Sequence, residues 1–492
     1  MRKLSVLSLV LLLCIGKSVA QSKLIKDSLS FTPVAVNGLI EWEKFPKFSL
    51  HPRFKVVYQG PRFDDDSTQL PLQHGFSHLA TFNQKYDTKV PFKNRAVLST
   101  GIPRASNQPW GSECLSPWGN DMDIIKRDLI AFTGICDYFK ECNIETRAAV
   151  DLFVHDFEAN ASNDNWIKYL KTLSCTPAPY KDLPDNQFVD LYKKEMITLH
   201  GDLMKLSREE LVPYNTKLSL YGESPIMNQF YNIADKAWEQ YGNDPSQLNY
   251  LLKDLNLNYS EKSPANKYID FVTPWAYYFH NYNEDGIEGK KGYWSYLYLP
   301  YLLFMTEAQE FWTKKDVIPF VQMRVQDPTS GLPFVNINPE MAEATPIFTL
   351  LGGAEGIWVW DQINLPAKKD PSDSRNFKPY EYFIAGLYRL SRHNHMFEGE
   401  FTYFRPKNPR ELAAIRQPVV RGVINGGRIL IAAQHPDANP EDVTKVDVEY
   451  QGWKDTIVLK GREVYLGEAC WKCDINAKSL CPPITAKRVT KK

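Results

Sequence analysis

Apolar positions in this chain fall into short runs that alternate with longer stretches of helical spacing. Residues 54–58 and 96–99 read as buried strands. Ile124, Ile125, Leu129, Phe132, Cys136 and Phe139 then recur at helical spacing within 121–141. Another apolar strand occupies 149–154 and ends abruptly in His155-Asp156-Phe157-Glu158. Residues 186–211 and 226–255 read as long helices, and further apolar runs cover 268–278, 299–306, 317–325 and 356–361. Strands alternating with helices predict a parallel sheet. Their number and length favour an α/β architecture of the (β/α)8 TIM-like barrel kind, in which chemistry gathers at the C-terminal strand ends.

The pattern changes after about residue 400. Runs at 419–424 and 428–433 flank Asn425-Gly426-Gly427, a strong short-range hairpin pattern. Residues 446–450 and 456–459 alternate, and 464–466 follows a Lys460-Gly461 turn. These predict a C-terminal antiparallel β-sandwich packed on the barrel. The expected organisation is a signal peptide over 1–20, a barrel over 21–400, a β domain over 401–481 and a basic tail over 482–492.

Arg2 and Lys3, an apolar core at 4–15 and the small-residue site Ser18-Val19-Ala20 form the pattern of a cleaved secretory signal, so a mature start at Gln21 and a secreted or periplasmic location are expected. No later stretch approaches the roughly 18 uninterrupted apolar residues of a membrane span. Removing Arg2, Lys3 and Lys17 from the 58 basic residues leaves 55 against 58 acidic ones. That near-neutral balance argues against a nucleic-acid partner. Of eight cysteines, Cys14 lies in the leader, which leaves seven and hence at least one unpaired thiol if the rest pair. Cys136 with Cys142, or a pair among Cys470, Cys473 and Cys481, fits local bridging in an oxidising compartment. Cys470-x-x-Cys473 lacks a second pair at zinc-ligand spacing, and no metal, cofactor or nucleotide site is expected.

The candidate chemistry lies where the apolar runs end. Period 2 aims Asp156 and Glu158 at the same side. Two like charges that close raise one pKa, as a general acid near neutral pH requires. The alternative is a strand running into a polar loop with solvated acids. The run at 268–278 leads through Tyr277 and Tyr278 to His280 and Asn281, which suit ligand orientation or proton transfer as well as plain aromatic packing. The run at 299–306 leads into Glu307, an apparent strand-end carboxylate. Arg324 sits where it would grip a substrate carboxylate or pair with a barrel acid. Trp360 and Asp361 end the run at 356–361, placed to floor a sugar ring and to bind its hydroxyls. Gly352 and Gly353 suit a tight turn into that strand.

The order of these blocks resembles the hyaluronidase family of glycoside hydrolases, related in fold to the chitinase-like barrels, over roughly residues 50–365. The matched motifs are Asp156-x-Glu158, the aromatic segment 274–282, the segment 294–312, the arginine-bearing run 320–325 and Gly353-Ala354-x-Gly356-Ile357-x-x-Trp360. The chitinase-type pattern Asp-x-x-Asp-x-Asp-x-Glu is met at Asp151, Asp156 and Glu158 but not at Val154. The resemblance implies Glu158 as general acid/base, Asp156 as its partner steadying a substrate N-acetyl nucleophile, and Tyr278 and Trp360 near the sugar. Hyaluronidase-type cysteines are not matched. His155 and His280 exceed what hydrolysis needs. They keep a second reading open, elimination or dehydration at C4 of a uronic acid with Arg324 neutralising the carboxylate, similar to the ulvan-oligosaccharide dehydratase of marine bacteria. A third reading is a non-catalytic glycan-binding protein. In each the expected partner is an acidic polysaccharide or oligosaccharide.

Overall fold

The computed structural model describes residues 22–28, 40–59, 70–80, 90–99, 108–109, 115–126, 150–156, 164–211, 215–221, 265–274, 276–277, 295–325, 335–360, 378–407, 409, 411–412 and 417–472. Its strands are, in chain order, β1 (Ile25–Lys26), β2 (Lys55–Gln59), β3 (His78–Leu79), β4 (Ala96–Ser99), β5 (Leu152–His155), β6 (Lys217–Leu220), β7 (Phe271–Val272), β8 (Asp316–Val317), β9 (Phe320–Val321), β10 (Arg324–Val325), β11 (Val335–Asn336) and β12 (Gly356–Trp360). The C-terminal strands are β13 (Thr402–Phe404), β14 (Val419–Asn425), β15 (Arg428–Gln434), β16 (Val443–Tyr450), β17 (Trp453–Lys460) and β18 (Tyr465–Cys470). The longer helices are α1 (Asp164–Thr172), α2 (Asp185–Leu211), α3 (Ser295–Thr313), α4 (Pro339–Leu351) and α5 (Lys378–Ser391).

The first part is a mixed α/β unit built on parallel pairs. β2 lies between β3 and β12, and β12 also pairs with β9. β5 lies between β4 and β6. A bridge from Leu79 to Arg95 joins β3 to the start of β4, and one from Tyr221 to Thr273 joins the ends of β6 and β7. β7 pairs with β8, and Phe320 N–H donates to the Pro274 carbonyl at 2.9 Å. The neighbours thus run β2, β3, β4, β5, β6, β7, β8 with β9, then β12 and back to β2.

Alternation along these strands sorts the side chains into two layers. Val57, Ala96, Leu152, Val154, Phe271, Phe320 and Trp358 form one inner cluster. The residues between them face helices: Phe153, Leu218, Leu220 and Val272 pack against α2, while Val56, Tyr58, Val321, Ile357 and Val359 join the core that holds α3, α4 and α5. In α2, Phe188, Tyr192, Met196, Leu199 and Leu203 recur at three- and four-residue steps, one stripe of a 3.6-period helix.

After β12 and α5 the chain forms a five-stranded antiparallel sheet in the order β1-β18-β15-β14-β13. One face carries Val419, Val423, Leu430, Ala432 and Leu466 against the helical core, and the other carries Ile424, Ile429, Ile431 and Ala433 against the β16–β17 hairpin. A sheet covered on both faces has no polar side, which is why β14 and β15 read as near-continuous apolar runs. The β16–β17 turn places Gln451 and Gly452 at φ 45° and 84°, the left-handed pair that a two-residue hairpin of right-twisted strands requires. The N-terminal dipeptide β1 completes this sheet at its edge, a placement its sequence does not announce.

Two expected elements are corrected. The apolar run at 299–306 is not a strand but the middle of α3, with Leu299, Leu302, Leu303 and Met305 buried. An apolar run buried on all sides carries no period to separate strand from helix. The run at 317–325 is broken into β8, β9 and β10, and β10 pairs antiparallel with β11. The expected helix at 226–255 lies outside the described residues. No described helix is long and apolar enough to cross a membrane.

Candidate functional site

The parallel strands have two chemically different ends. At the N-terminal end, charged groups satisfy one another. Asp151, just before β5, meets His78 Nε2 at 2.9 Å and Lys55 Nζ at 3.2 Å. Burial alone would raise the Asp151 carboxyl, but the His78 hydrogen bond and the Lys55 charge outweigh it and hold the pKa at about 2. His78 Nδ1 meets Ser77 Oγ at 2.8 Å, and burial lowers the imidazole's pKa, so the ring is neutral near pH 7. Arg53 and Glu355 form a bidentate pair at 2.5 and 3.2 Å beside them. The acid that matches the first position of the chitinase-type pattern is therefore a structural brace at the far end of its strand.

At the C-terminal end the inner side chains are aromatic and hydroxylic. Continuing the alternation past the last inner residue of each strand brings Gln59, Tyr221, Trp360 and Asp156 to one side. Tyr277, on the segment after β7, joins them. Its hydroxyl is 2.6 Å from that of Tyr221, and its ring lies 5.6 Å from Trp360 at an interplanar angle of 30°. Below, Phe320 stacks on Trp358 at 4.9 Å, and Trp358 Nε1 donates to Gln59 Oε1 at 2.6 Å. Two phenols that share one hydrogen bond use one proton between their oxygens, so the other O–H is directed at a third group. Trp360 is only partly buried and offers ring surface to a ligand.

Of the residues expected from sequence, the structure brings Asp156 and Trp360 to this end. Asp156 directly follows β5 and is partly buried. Glu158, Tyr278, His280, Asn281 and Asp361 lie outside the described residues, and for Arg324 only the backbone place in β10 is described. That place is an antiparallel ladder rather than the end of a parallel strand.

Two expectations are corrected. His155 does not share a side with Asp156. It follows Phe153 outward, is 1 % exposed, and sets its Nε2 2.6 Å from Ser207 Oγ on α2. Burial, reinforced by His200, holds its pKa at about 3, so it exchanges no proton with a ligand near neutrality. Period 2, which puts Asp156 and Glu158 on one side, necessarily puts His155 on the other. Glu307 is not at a strand end. It sits within α3, with its carboxylate 2.5 and 3.3 Å from the guanidinium nitrogens of the fully buried Arg421 on β14. Burial raises its pKa against the pull of Arg421. This pair braces the parallel unit against the C-terminal sheet.

Sequence reading missed Tyr221 and Gln59. Leu218 and Leu220 alternating with Ser219 and Tyr221 form the expected pattern for β6, but a four-residue strand between long polar stretches is a weak signature.

No protein-family model matches this chain, and no curated protein matches it in sequence. Solved structures to which it is similar include glycoside hydrolases. Bee venom hyaluronidase is 14 % identical, with 68 % of this chain and 99 % of that one covered, at a TM-score of 0.39. The glycoside hydrolase family 30 subfamily 8 xylanase Xyn30A from Clostridium acetobutylicum is 8 % identical, covering 86 % and 97 %, at 0.35. The maltogenic α-amylase AmyB from Thermotoga neapolitana is 12 % identical, covering 85 % and 99 %, at 0.34.

Proposed function

We propose that this chain is a secreted glycan-active enzyme, a (β/α)8-barrel glycoside hydrolase that cleaves acidic, uronate-containing polysaccharides or oligosaccharides by carboxylate acid/base chemistry. The observation that carries the reading is the convergence of Asp156, Tyr221, Tyr277 and Trp360 at the C-terminal ends of parallel strands. Ring faces stack on sugar rings, phenols bind hydroxyl or acetamido oxygens, and strand ends of one parallel layer are where such groups are assembled. The succession of parallel neighbours, with β8 and β9 counted as one position, fits the eight places such a barrel has. Cys175 and Cys470 each take part in a disulfide bond, which fits an oxidising compartment.

In this reading Glu158 protonates the leaving glycosidic oxygen. The substrate's acetamido oxygen attacks the anomeric carbon as that bond breaks. Asp156 accepts a hydrogen bond from the acetamido nitrogen and disperses its growing positive charge. Glu158, now a carboxylate, then takes a proton from the water that opens the cyclic intermediate. Elimination draws less support. It leaned on two histidines near the acids, and one of them, His155, is turned to the helical layer and neutral.

The test is mass analysis of products after incubation with hyaluronan, chondroitin sulfates and ulvan oligosaccharides, for wild type and Glu158→Gln. Products one water heavier per cleavage, and a loss of at least about a thousandfold in Glu158→Gln, are expected. An unsaturated, ultraviolet-absorbing product would replace hydrolysis by elimination. Undiminished turnover by the Gln variant, or no turnover at all, would end the proposal.

A further inference from the structure

We propose that His155 is a positioning residue for the proposed site, an imidazole clamp that ties α2 to the strand end and thereby sets Asp156 and Tyr221 in place; the inference rests on the glycan-enzyme reading for its kinetic arm only. Three contacts carry it. The ring reaches outward, with Nε2 2.6 Å from Ser207 Oγ. The Ser207 hydroxyl in turn donates to the Leu203 carbonyl at 2.8 Å, one turn back along α2. The His155 carbonyl accepts the Tyr221 N–H at 2.7 Å. One residue is thus bonded at its side chain to the outer helix and at its backbone to the mouth.

The hydrogen-bond geometry fits one tautomer. Ser207 has a single hydroxyl proton; with that proton on the Leu203 carbonyl, Ser207 Oγ accepts from His155 Nε2–H. Only the Nε2–H form does this in the neutral ring, and the buried setting keeps the ring neutral. Among the described residues, His200 on α2 acts on it electrostatically, Ser207 meets it with a polar group, and the Phe153 ring packs edge-on at 4.8 Å. A leucine or isoleucine would fill such an outward position in an ordinary α/β layer. A histidine there adds directional restraint at the last residue of the strand, one peptide from Asp156 and one hydrogen bond from Tyr221. A mouth group displaced by about an ångström loses around a hundredfold in rate, so such restraint matters at that point.

The test compares His155→Phe, which keeps the ring and drops the donor, His155→Gln, which restores an N–H donor, and Ser207→Ala, which removes the acceptor with little change in volume. On the glycan that wild type cleaves fastest, His155→Phe and Ser207→Ala are expected to lower kcat about 10- to 100-fold with KM held within threefold, and His155→Gln to recover most of the loss. Amide exchange at Tyr221 is expected to speed up at least tenfold in the Phe and Ala variants while that at Leu218 stays as in wild type. Nitrogen chemical shifts of wild-type His155 should show Nε2 protonated between pH 5 and 8. Wild-type kcat and wild-type Tyr221 exchange in Ser207→Ala, or a His155→Gln variant no better than His155→Phe, would overturn the clamp. Should no glycan be turned over, the enzymatic reading falls, and the Tyr221 exchange rates still decide the clamp on their own.

Discussion

The two ends of the same parallel strands solve opposite problems. At the N-terminal end, Asp151 pairs with Lys55 and His78, and Arg53 pairs with Glu355, so these charged groups have partners. At the C-terminal end, Asp156, Tyr221, Tyr277 and Trp360 gather ring faces, a phenol pair and a carboxylate on one side. Charges that neutralise each other contribute to holding the strands in register. Polar groups held among aromatic rings are what a hydroxylated ligand requires. The contrast teaches that the presence of acids and histidines at a strand end says little until their partners are known. Asp151 and Asp156 belong to one pattern in sequence and to opposite ends of one strand in space.

The comparison can be broken or sharpened by measurement, beginning with the group that was expected at the mouth and lies in neither end. Glu307→Leu leaves Arg421 buried without its carboxylate and should cost about 3–5 kcal/mol in urea unfolding. The double variant Glu307→Leu/Arg421→Met should recover most of that, because a well-packed apolar pair replaces a buried ion pair at little cost. Unchanged stability in the single variant would remove the brace assigned to this pair.

Acid sensitivity comes next. The pKa of His155 is about 3 in the fold against 6.5 unfolded, so the unfolded chain takes the proton first as pH falls. Its contribution to stability is complete above pH 6.5 and is lost progressively towards pH 3, amounting to roughly 2–3 kcal/mol by pH 4.5. Denaturant midpoints from pH 7 to 4.5 should fall less steeply in His155→Phe than in wild type. Equal slopes would place the ring's titration elsewhere.

Tyr277→Phe removes one half of the phenol pair at the mouth. It should lower turnover of the best glycan about tenfold or more, with a stability loss of only about 1 kcal/mol. A stability loss without any kinetic effect would make the pair a second structural network and erase the contrast.

The smallest expected effect is at the N-terminal end. Asp151→Asn should cost about 1 kcal/mol at pH 7, discounted for the partial exposure of the carboxylate and for a His78 that contributes a hydrogen bond rather than a full charge. Because the folded pKa lies near 2, below the unfolded 3.8, that contribution is present above pH 4 and disappears as the pH falls towards 2. Glycan turnover should stay at the wild-type level when assayed well below the melting temperature.

Much of the layer pattern was legible in the chain. β2, β4 and β12, the long helix α2 and the β14–β15 hairpin follow from apolar runs, helical spacing and Asn425-Gly426-Gly427. These depend on local periodicity, which a linear pattern carries completely. The α3 segment did not follow, because burial on every side erases the difference between a period of 2 and one of 3.6. Within the candidate site, the places of Asp156 and Trp360 were legible as polar or aromatic ends of apolar runs. Tyr221 was not, because its strand is four residues long.

The sequence by itself determined which residues alternate, and so that His155 and Asp156 must face opposite layers whatever surrounds them. Only the tertiary structure decided what each layer contains: Ser207 of α2 beside His155, Arg421 of a distant sheet beside Glu307, and a tyrosine 56 residues away against Tyr221. Period is a property of neighbours along the chain. Partnership between groups far apart in sequence depends on how the layers close on one another, and no local pattern encodes that.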